Sequence, residues 1–310
     1  MHIRTFRWED LPALVEMMNR HAEALGKSSR VTVEEVERTW RTPYNHPDRD
    51  AFVAVGADGQ IIGYTIADIL DDPHQAFGVY QVLSGNRAAG SVLMQAASDH
   101  FHAMALANAD PDKPITMDWR VTSTNADAIS LCEEQGFEQV RQFYTMRIAL
   151  DQPLPAAVLP PGFALRPFTL DDLAAVYDAK VEMFQDHWGD QHDPLHEWRS
   201  TVEAPHFDPS LWWVAYAGDA IAGIVLSQPT TAETAWVGIL GVRRAWRKQG
   251  LAQALLQLCF AEYQRRGLRE VFLGVDSNSQ TNAVKLYQRA GMHIHQTVLY
   301  YRQYLRRTES

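Results

Sequence analysis

The sequence predicts an α/β protein made as a tandem duplication of one domain, in which each copy is a mixed, mostly antiparallel sheet flanked by helices. Its 310 residues exceed one average domain and suit two. An internal repeat supports this division, because Ile3–Leu11 (IRTFRWEDL) matches Leu165–Leu173 (LRPFTLDDL). Phe52–Gly63 likewise echoes Trp213–Gly223, and each copy there is typical of two strands joined by a tight turn.

A proline-rich stretch separates the two copies. Residues 151–162 contain four prolines and predict a stiff linker. We therefore expect an N-terminal domain over residues 1–150, a linker over 151–162 and a C-terminal domain over 163–310. The apolar content of 46% is sufficient for two well-filled cores.

The strands and helices of the second copy follow from its hydrophobic periodicity. Short apolar, β-branched runs predict strands, and longer segments with a 3.6-residue period predict helices. Gly291 is placed to end the last helix. The expected strands are Phe163–Phe168, Leu211–Tyr216, Ile221–Pro229, Thr234–Val242, Glu270–Val275 and Met292–Leu305, and the expected helices are Asp172–Phe184, Pro194–Val202, Leu251–Arg266 and Asn282–Ala290.

A phosphate-binding loop is the most specific local feature. The apolar run Trp236–Val242 leads into the basic loop Arg243–Lys248, which reaches Gly250 immediately before a helix. Backbone N–H groups and the positive end of the helix dipole would both face a phosphate or pyrophosphate there. A nucleotide P-loop is excluded because Leu251-Ala252 stands where Lys-Ser or Lys-Thr is required, and the glycine spacing of a dinucleotide fingerprint is absent.

Two motifs resemble the acyl-CoA site of the GNAT superfamily of N-acetyltransferases. Arg247-x-x-Gly250-x-Ala252 is similar to its pyrophosphate loop, and Asn278-x-x-x-Asn282-Ala-x-x-Leu-Tyr287-x-x-x-Gly291-Met resembles the second half of that site. The resemblance implies a tandem duplication of the GNAT acyl-CoA N-acyltransferase fold, with acetyl-CoA as co-substrate and no metal. The cofactor-binding residues that it implies are Leu240, Gly241, Val242, Arg247, Lys248, Gln249, Gly250, Leu251, Ala252, Gln253, Asn278, Asn282 and Lys285. The alternative for the loop is a basic turn that only caps a helix.

The same resemblance assigns catalytic roles. A backbone N–H near Leu240–Val242, where the strand diverges from its neighbour in this family, would polarise the thioester carbonyl. Tyr287 would act as general acid toward the CoA sulfur, since a phenol with a pKa of about 10 keeps its proton at neutral pH. The alternative for Tyr287 is a core aromatic residue on an amphipathic helix.

The general base is less clearly indicated. The layout resembles the tandem, mycothiol synthase-like branch of the superfamily, where a carboxylate five residues before the glycine matching Gly241 serves as base. Here that position is Trp236. Glu233 is the candidate catalytic carboxylate, although its side chain would point to the opposite face unless a bulge intervenes. A water chain, or an amine that arrives unprotonated, is equally compatible with the sequence.

Charge is distributed unevenly along the second copy. The chain carries a net charge of −10, which argues against nucleic acid as a partner. Residues 171–208 contain ten acidic side chains against two basic ones, whereas residues 243–269 contain seven basic side chains against one acidic. An acidic, aromatic acceptor wall that includes the stretch Asp186–Asp190 (DHWGD), with Trp188, and also Trp236 would suit a small cationic or polyhydroxylated amine. Ordinary solvated acidic helices are the alternative.

The first copy is a degraded version of the second. Its loop keeps Arg87 and Gly90 but has Val92 where the second copy has Ala252, and Cys132 occupies the position of Tyr287. We expect a structural role for it, with residual CoA binding as the alternative.

The remaining expectations concern function and location. We expect an acetyl-CoA-dependent N-acetyltransferase acting on a small-molecule amine; the alternatives are a peptide or protein N-acetyltransferase and a non-catalytic acyl-CoA-binding module. The spacing of His192 and His196 does not favour a metal site, because Pro194 starts a helix after His192. We expect a cytoplasmic protein with no membrane partner, because the chain has two cysteines, no long apolar run and no signal-like N-terminus. We also expect a monomer or homodimer.

Overall fold

Two compact units make up the chain. The computed structural model describes residues 1–25, 30–41, 45–68, 73–185, 187–188, 194–204, 207–279 and 281–306. Unit 1 comprises Met1–Gln142 together with Val298–Ser310, and unit 2 comprises Phe143–Thr297. Asp186 and His192 lie outside the described residues.

Unit 1 is a sheet with helices from the first half of the chain. Its elements in chain order are β1 (His2–Thr5), α1 (Leu11–Ala24), α2 (Val33–Trp40), α3 (Pro47–Asp50), β2 (Ala51–Val55), β3 (Ile61–Asp68), β4 (Gln75–Val82), α4 (Arg87–Asn108), β5 (Ile115–Thr122) and α5 (Ala126–Glu134). The strands follow the order β1-β2-β3-β4-β5. Pairing is antiparallel except between β4 and β5, which are parallel.

Unit 2 repeats this plan. Its elements are β6 (Glu138–Ala149), which starts within unit 1, then β7 (Ala164–Pro167), α6 (Leu173–Phe184), α7 (Leu195–Glu203), β8 (Trp212–Ala217), β9 (Ala220–Pro229), β10 (Thr234–Val242), α8 (Leu251–Arg265), β11 (Glu270–Asp276), α9 (Ala283–Arg289) and β12 (His293–Arg306), which ends in unit 1. The strand order is β6-β11-β10-β9-β8-β7. Among the strand pairs described for this unit, β10–β11 is parallel and the others are antiparallel. Every element predicted for the second copy agrees with the structure to within one residue at each end.

The last strand of each copy pairs outside its own repeat. Residues 143–149 of β6 pair antiparallel with β11, and residues 298–306 of β12 pair antiparallel with β5. The compact units therefore differ from the predicted ranges 1–150 and 163–310. The predicted linker also belongs to unit 2, where Leu154 and Leu159 pack against its core and Gln264 donates a hydrogen bond to the carbonyl of Gln152.

The sheet of unit 2 has a hydrophobic layer on each face. Because side chains alternate along a strand, Val225 packs in the cluster that contains α8, while Leu226 packs in the cluster that contains α6 and α7. The first cluster includes Leu255 and Phe260 of α8, and the second includes Val176 of α6. These two layers fix α6 and α8 on opposite sides of β10.

Candidate active site

A bulge opens the sheet of unit 2 at β10. This strand pairs with β11 only over Thr234–Val237, and its register against β9 shifts between Val237 and Ile239, which leaves Gly238 as the extra residue. After the bulge, Ile239 packs on the α6 side and Leu240 on the α8 side. Residues 240–242 thus continue beyond the β11 pairing, as the family resemblance implies. Bulges of this kind commonly lie beside active sites.

The basic loop forms an anion-binding turn at the start of α8. Lys248 and Gly250 both adopt left-handed backbone conformations, with φ of +63° and +84°. Gly250 is the N-cap of α8, and the first amide to bond back into the helix is that of Ala254, which donates to the Gly250 carbonyl at 3.1 Å. The preceding amides of the first turn have no intrahelical acceptor. With the helix dipole, they can bind a phosphate oxygen.

A cleft of about 610 Å³ joins this loop to β10 and α9. Most of the predicted cofactor residues line it. These are Leu240, Gly241, Val242, Arg247, Lys248, Gly250, Leu251, Ala252, Gln253 and Asn282, together with the predicted acid Tyr287. The predicted residues Gln249, Asn278 and Lys285 are not among its lining residues. Gln249 and Lys285 are exposed, and the amide of Asn278 is bonded to the Asp276 carboxylate at 2.9 Å.

Tyr287 is held in the wall of the cleft by α9. Its side chain is 8% exposed and packs with the α8 core, while it also lines the cleft. The two interpretations of this residue from sequence, core aromatic and cleft acid, are therefore geometrically compatible. Burial raises the pKa of the Tyr287 phenol to about 12, so that the group keeps its proton throughout the neutral range.

The end of α6 forms the opposite wall. Met183, Phe184 and His187 line the cleft there. The Met183 side chain lies against β10 so closely that a Cβ on Gly241 would be 2.5 Å from its sulfur. Arg247 joins β10 to α6, because its guanidinium donates to the carbonyl of Val242 at 3.0 Å and to that of Met183 at 3.3 Å.

The predicted base is not brought to this cleft. Glu233 precedes β10, its side chain is 59% exposed, and it forms an ion pair with Arg269 at 3.3 Å. At about 3.3 Å per residue, it lies roughly 20 Å along the strand from Leu240. The bulge does fall between Glu233 and the cleft, but Glu233 precedes β10 and stays at the far end of that strand.

Of the predicted acceptor residues that the structure describes, Trp188 and Trp236 are not among those lining the cleft. The half-buried indole of Trp236 lies over Gly274, at 3.5 Å from the position of a Cβ there. Trp188 packs near Phe143, with 6.2 Å between ring centroids. The third predicted acceptor residue, Asp186, is outside the described residues.

Several lining residues were missed by the sequence interpretation. Trp246, Thr281, Ala283, Leu286 and Arg289 complete the cleft, together with Met183 and Phe184, whereas His187 belongs to the predicted acceptor stretch Asp186–Asp190. Gly238 carried a sequence signal, because a glycine inside a strand pattern is typical of a β-bulge. The α6 residues carried no comparable signal, since contact between α6 and β10 depends on tertiary packing.

The equivalent region of unit 1 is closed. The ladder between β3 and β4 runs without a register shift, and the Tyr80 ring lies directly on Gly90, where a Cβ would overlap it. The remaining cavity is about 50 Å³. Arg87 pairs with Glu134 at 2.6 Å instead of reaching α1, and the fully buried Cys132 thiol has its pKa raised to about 12 by burial.

Within the described ranges, no three or more His, Cys, Asp or Glu side chains are grouped so as to hold a metal ion. Among the helices described for this chain, none combines the length and apolar character needed to cross a bilayer.

Comparison with known proteins agrees with this geometry. The model of the acetyltransferase (GNAT) family matches residues 173–292. The GCN5-related N-acetyltransferase from Sphaerobacter thermophilus has a similar structure, with a TM-score of 0.88 and 31% identity, covering 100% of this chain and 97% of that one. A tandem GNAT protein from the clavulanic acid biosynthesis pathway shares the fold, with a TM-score of 0.72 and 15% identity over 99% of each chain.

Proteins named mycothiol acetyltransferase are similar in sequence. The one from Thermobispora bispora is 27% identical over 277 residues, which are 87% of this chain and 89% of that protein. The one from Renibacterium salmoninarum is 32% identical over 177 residues, which span about half of each protein, 54% of this chain and 52% of the relative. From the bulged strand, the anion-binding turn and these similarities, we conclude that the chain belongs to the GNAT family and is an acetyltransferase of tandem type.

Proposed function

We propose that this enzyme transfers the acetyl group of acetyl-CoA to the primary amine of a small molecule, with unit 2 as the catalytic unit and Tyr287 as general acid. The cleft that connects the anion-binding turn to Tyr287 carries this proposal. Its volume of about 610 Å³ lies within the usual range of small-molecule sites.

The loop end of the cleft would bind the pyrophosphate. The amides that precede Ala254 supply hydrogen-bond donors, and Lys248 and Arg289 add positive charge among the lining residues. A side chain at Gly250 would cover these amides, and its φ of +84° is costly for any other residue.

Acetyl transfer would take place at the other end of the cleft, beside residues 240–242 and Tyr287. The amine nitrogen attacks the thioester carbon, a C–N bond forms and the C–S bond breaks. Backbone amides within residues 240–242 would stabilise the oxyanion, because this part of β10 extends past its pairing with β11. The thiolate then takes the phenol proton of Tyr287, which burial keeps in place, and a proton lost by the acylated nitrogen restores the phenol.

A small amine is the acceptor that we favour over a peptide. The cleft is bounded by α6, β10 and α9, and its α6 wall is the apolar and aromatic surface of Met183, Phe184 and His187. The relatives named mycothiol acetyltransferase are consistent with a small amine-bearing acceptor.

An amine panel assayed for CoA release would test the proposal. The panel would contain glucosamine, kanamycin, cysteine methyl ester, benzylamine, aniline and a short peptide with a free N-terminus. We expect acetyl-CoA to be consumed with at least one small amine and poorly with the peptide. Preferred acetylation of the peptide would support the alternative acceptor class, and tight acetyl-CoA binding with no turnover across the panel would support a non-catalytic module.

A further inference from the structure

His187 supplies an imidazole, a group to which the sequence interpretation assigned no catalytic role. Its imidazole lines the cleft at the end of α6, and its backbone N–H donates to the carbonyl of Phe184 at 2.9 Å. The ring lies on that of Phe184, with 4.3 Å between centroids and 32° between planes. The backbone hydrogen bond and the ring contact hold the imidazole against Phe184, the last residue of α6.

This helix end lies beside the part of β10 where the acetyl carbonyl would bind. Met183, one turn before His187, packs against Gly241 and accepts a hydrogen bond from Arg247 at 3.3 Å. His187 consequently belongs to the reacting end of the cleft. Glu233, in contrast, lies about 20 Å from Leu240 along the direction of β10.

The chemistry of the cleft points to the same residue. Amine acetylation releases a proton from an ammonium substrate, and an imidazole, with an ordinary pKa of about 6.5, is suited to accept it near neutral pH. Among the described lining residues, the other ionisable groups are the cations Arg247, Lys248 and Arg289 and the phenol of Tyr287. On α6 itself, Glu182 is paired with Arg243 at 2.7 Å.

We infer that His187 is the general base that accepts the proton of the acceptor amine. The imidazole takes a proton from the ammonium group, and the neutral amine attacks the thioester carbon. The C–S bond breaks as the thiolate takes the phenol proton of Tyr287. The second proton lost by the nitrogen restores the phenol, and the imidazolium releases its proton to water. This role rests on the proposed amine acetyltransferase function.

Two amines of different basicity separate this role from a structural one. Benzylamine is an ammonium ion at neutral pH, whereas aniline is already unprotonated. With His187→Gln, we expect kcat/KM for benzylamine to fall about 100-fold near pH 7 and to recover as the pH rises toward the pKa of the amine. We expect a loss of less than about threefold with aniline and an unchanged Kd for acetyl-CoA. His293→Gln, which changes an exposed histidine at the start of β12, is the matched control.

The outcomes are distinguishable. Equal losses with both amines, a loss that does not change with pH, or full activity of His187→Gln would each overturn the assignment while leaving amine acetylation intact. If the parent enzyme turns over neither amine, glucosamine replaces benzylamine. The pH dependence of the loss in kcat/KM of His187→Gln with glucosamine then decides the assignment. A parent that releases no CoA with any amine of the panel would remove the proposed function and the base with it.

Discussion

Arg247 donates a hydrogen bond to the Met183 carbonyl at 3.3 Å and thereby connects the basic loop before α8 to the end of α6. Its Nε donates to the Val242 carbonyl at 3.0 Å. In unit 1 the equivalent carbonyl, that of Val82, receives its hydrogen bond from His21 of α1 at 2.9 Å. The arginine of that unit, Arg87, is engaged by α5 instead. Of these two loop arginines, Arg247 is the one that connects its strand, β10, to the preceding helix, α6.

The substitution Arg247→Met should weaken both sides of the site. Hydrogen bonds from a charged donor contribute about 1.5–3 kcal/mol each, so the loss of two should raise the Kd for acetyl-CoA about tenfold or more and also raise the KM for the amine. Calorimetry and steady-state kinetics would measure the two effects. Arg265→Met, on the exposed face of α8, is the control. An increase in the Kd for acetyl-CoA alone, or in the KM for the amine alone, would argue against a role for Arg247 in joining β10 to α6.

Replacing Gly250 should separate cofactor binding from backbone strain. Gly250 and Gly267 have nearly the same φ, +84° and +83°, but only Gly250 lines the cleft. Alanine at either position should cost about 1 kcal/mol of unfolding free energy. We expect Gly250→Ala alone to lose acetyl-CoA affinity, by about tenfold or more, because its methyl group blocks the loop amides. Equal affinities of the two variants, measured by calorimetry, would remove the loop from the binding site.

Removing the Tyr287 hydroxyl should impair turnover and spare binding. Tyr287→Phe keeps the ring in the core and should reduce kcat about 10²–10⁴-fold with little change in the Kd for acetyl-CoA. Because burial raises the pKa of this phenol to about 12, its proton stays in place between pH 8 and 10, where an ordinary tyrosine begins to ionise. The wild-type kcat should therefore show no decline from this group below pH 10. A near-normal kcat for the variant would exclude Tyr287 as the acid.

The site was predictable from sequence to the extent that its signals are local. Gly250, Arg247 and Tyr287 occupy fixed positions in short motifs, and the helices that carry them have clear periodicity and caps. His187 and Met183 reach the cleft through the packing of α6 on β10, which no short motif encodes. Glu233 illustrates the same limit, because its position relative to the cleft depends on where the bulge falls.

Acetyl-CoA should bind with a stoichiometry of one per chain. In unit 1 the Tyr80 ring covers Gly90, and the cavity of about 50 Å³ is too small for a nucleotide. Calorimetric titration would give the stoichiometry directly. Cys132→Ala should leave kcat/KM unchanged within about twofold, since this buried thiol has its pKa raised to about 12 and is not among the residues that line the cleft of unit 2. A second binding event would show that unit 1 retains a cofactor site.

The exchange of terminal strands makes the stability of unit 1 depend on the end of the chain. Strand order in a sheet is set by long-range pairing, so the domain boundaries predicted from repeat and linker could not anticipate that β12 pairs with β5. Arg302 of β12 donates two hydrogen bonds of 2.6 Å to Asp118 of β5, whose side chain is fully buried. This pair anchors the terminal strand.

The substitution Arg302→Leu should therefore destabilise unit 1 although the residue lies near the C-terminus. It leaves a buried carboxylate without its cation, with only Gln75 as a described side-chain donor at 3.1 Å, and breaking such a pair costs about 3–5 kcal/mol. Hydrogen exchange should become faster in β5 and β12, while α8 in unit 2 keeps its protection. Arg306→Leu, in the same strand, removes contacts only to exposed loop carbonyls and should have a small effect. Uniform loss of protection in both units, or none in β5, would contradict an anchoring role for the Arg302–Asp118 pair.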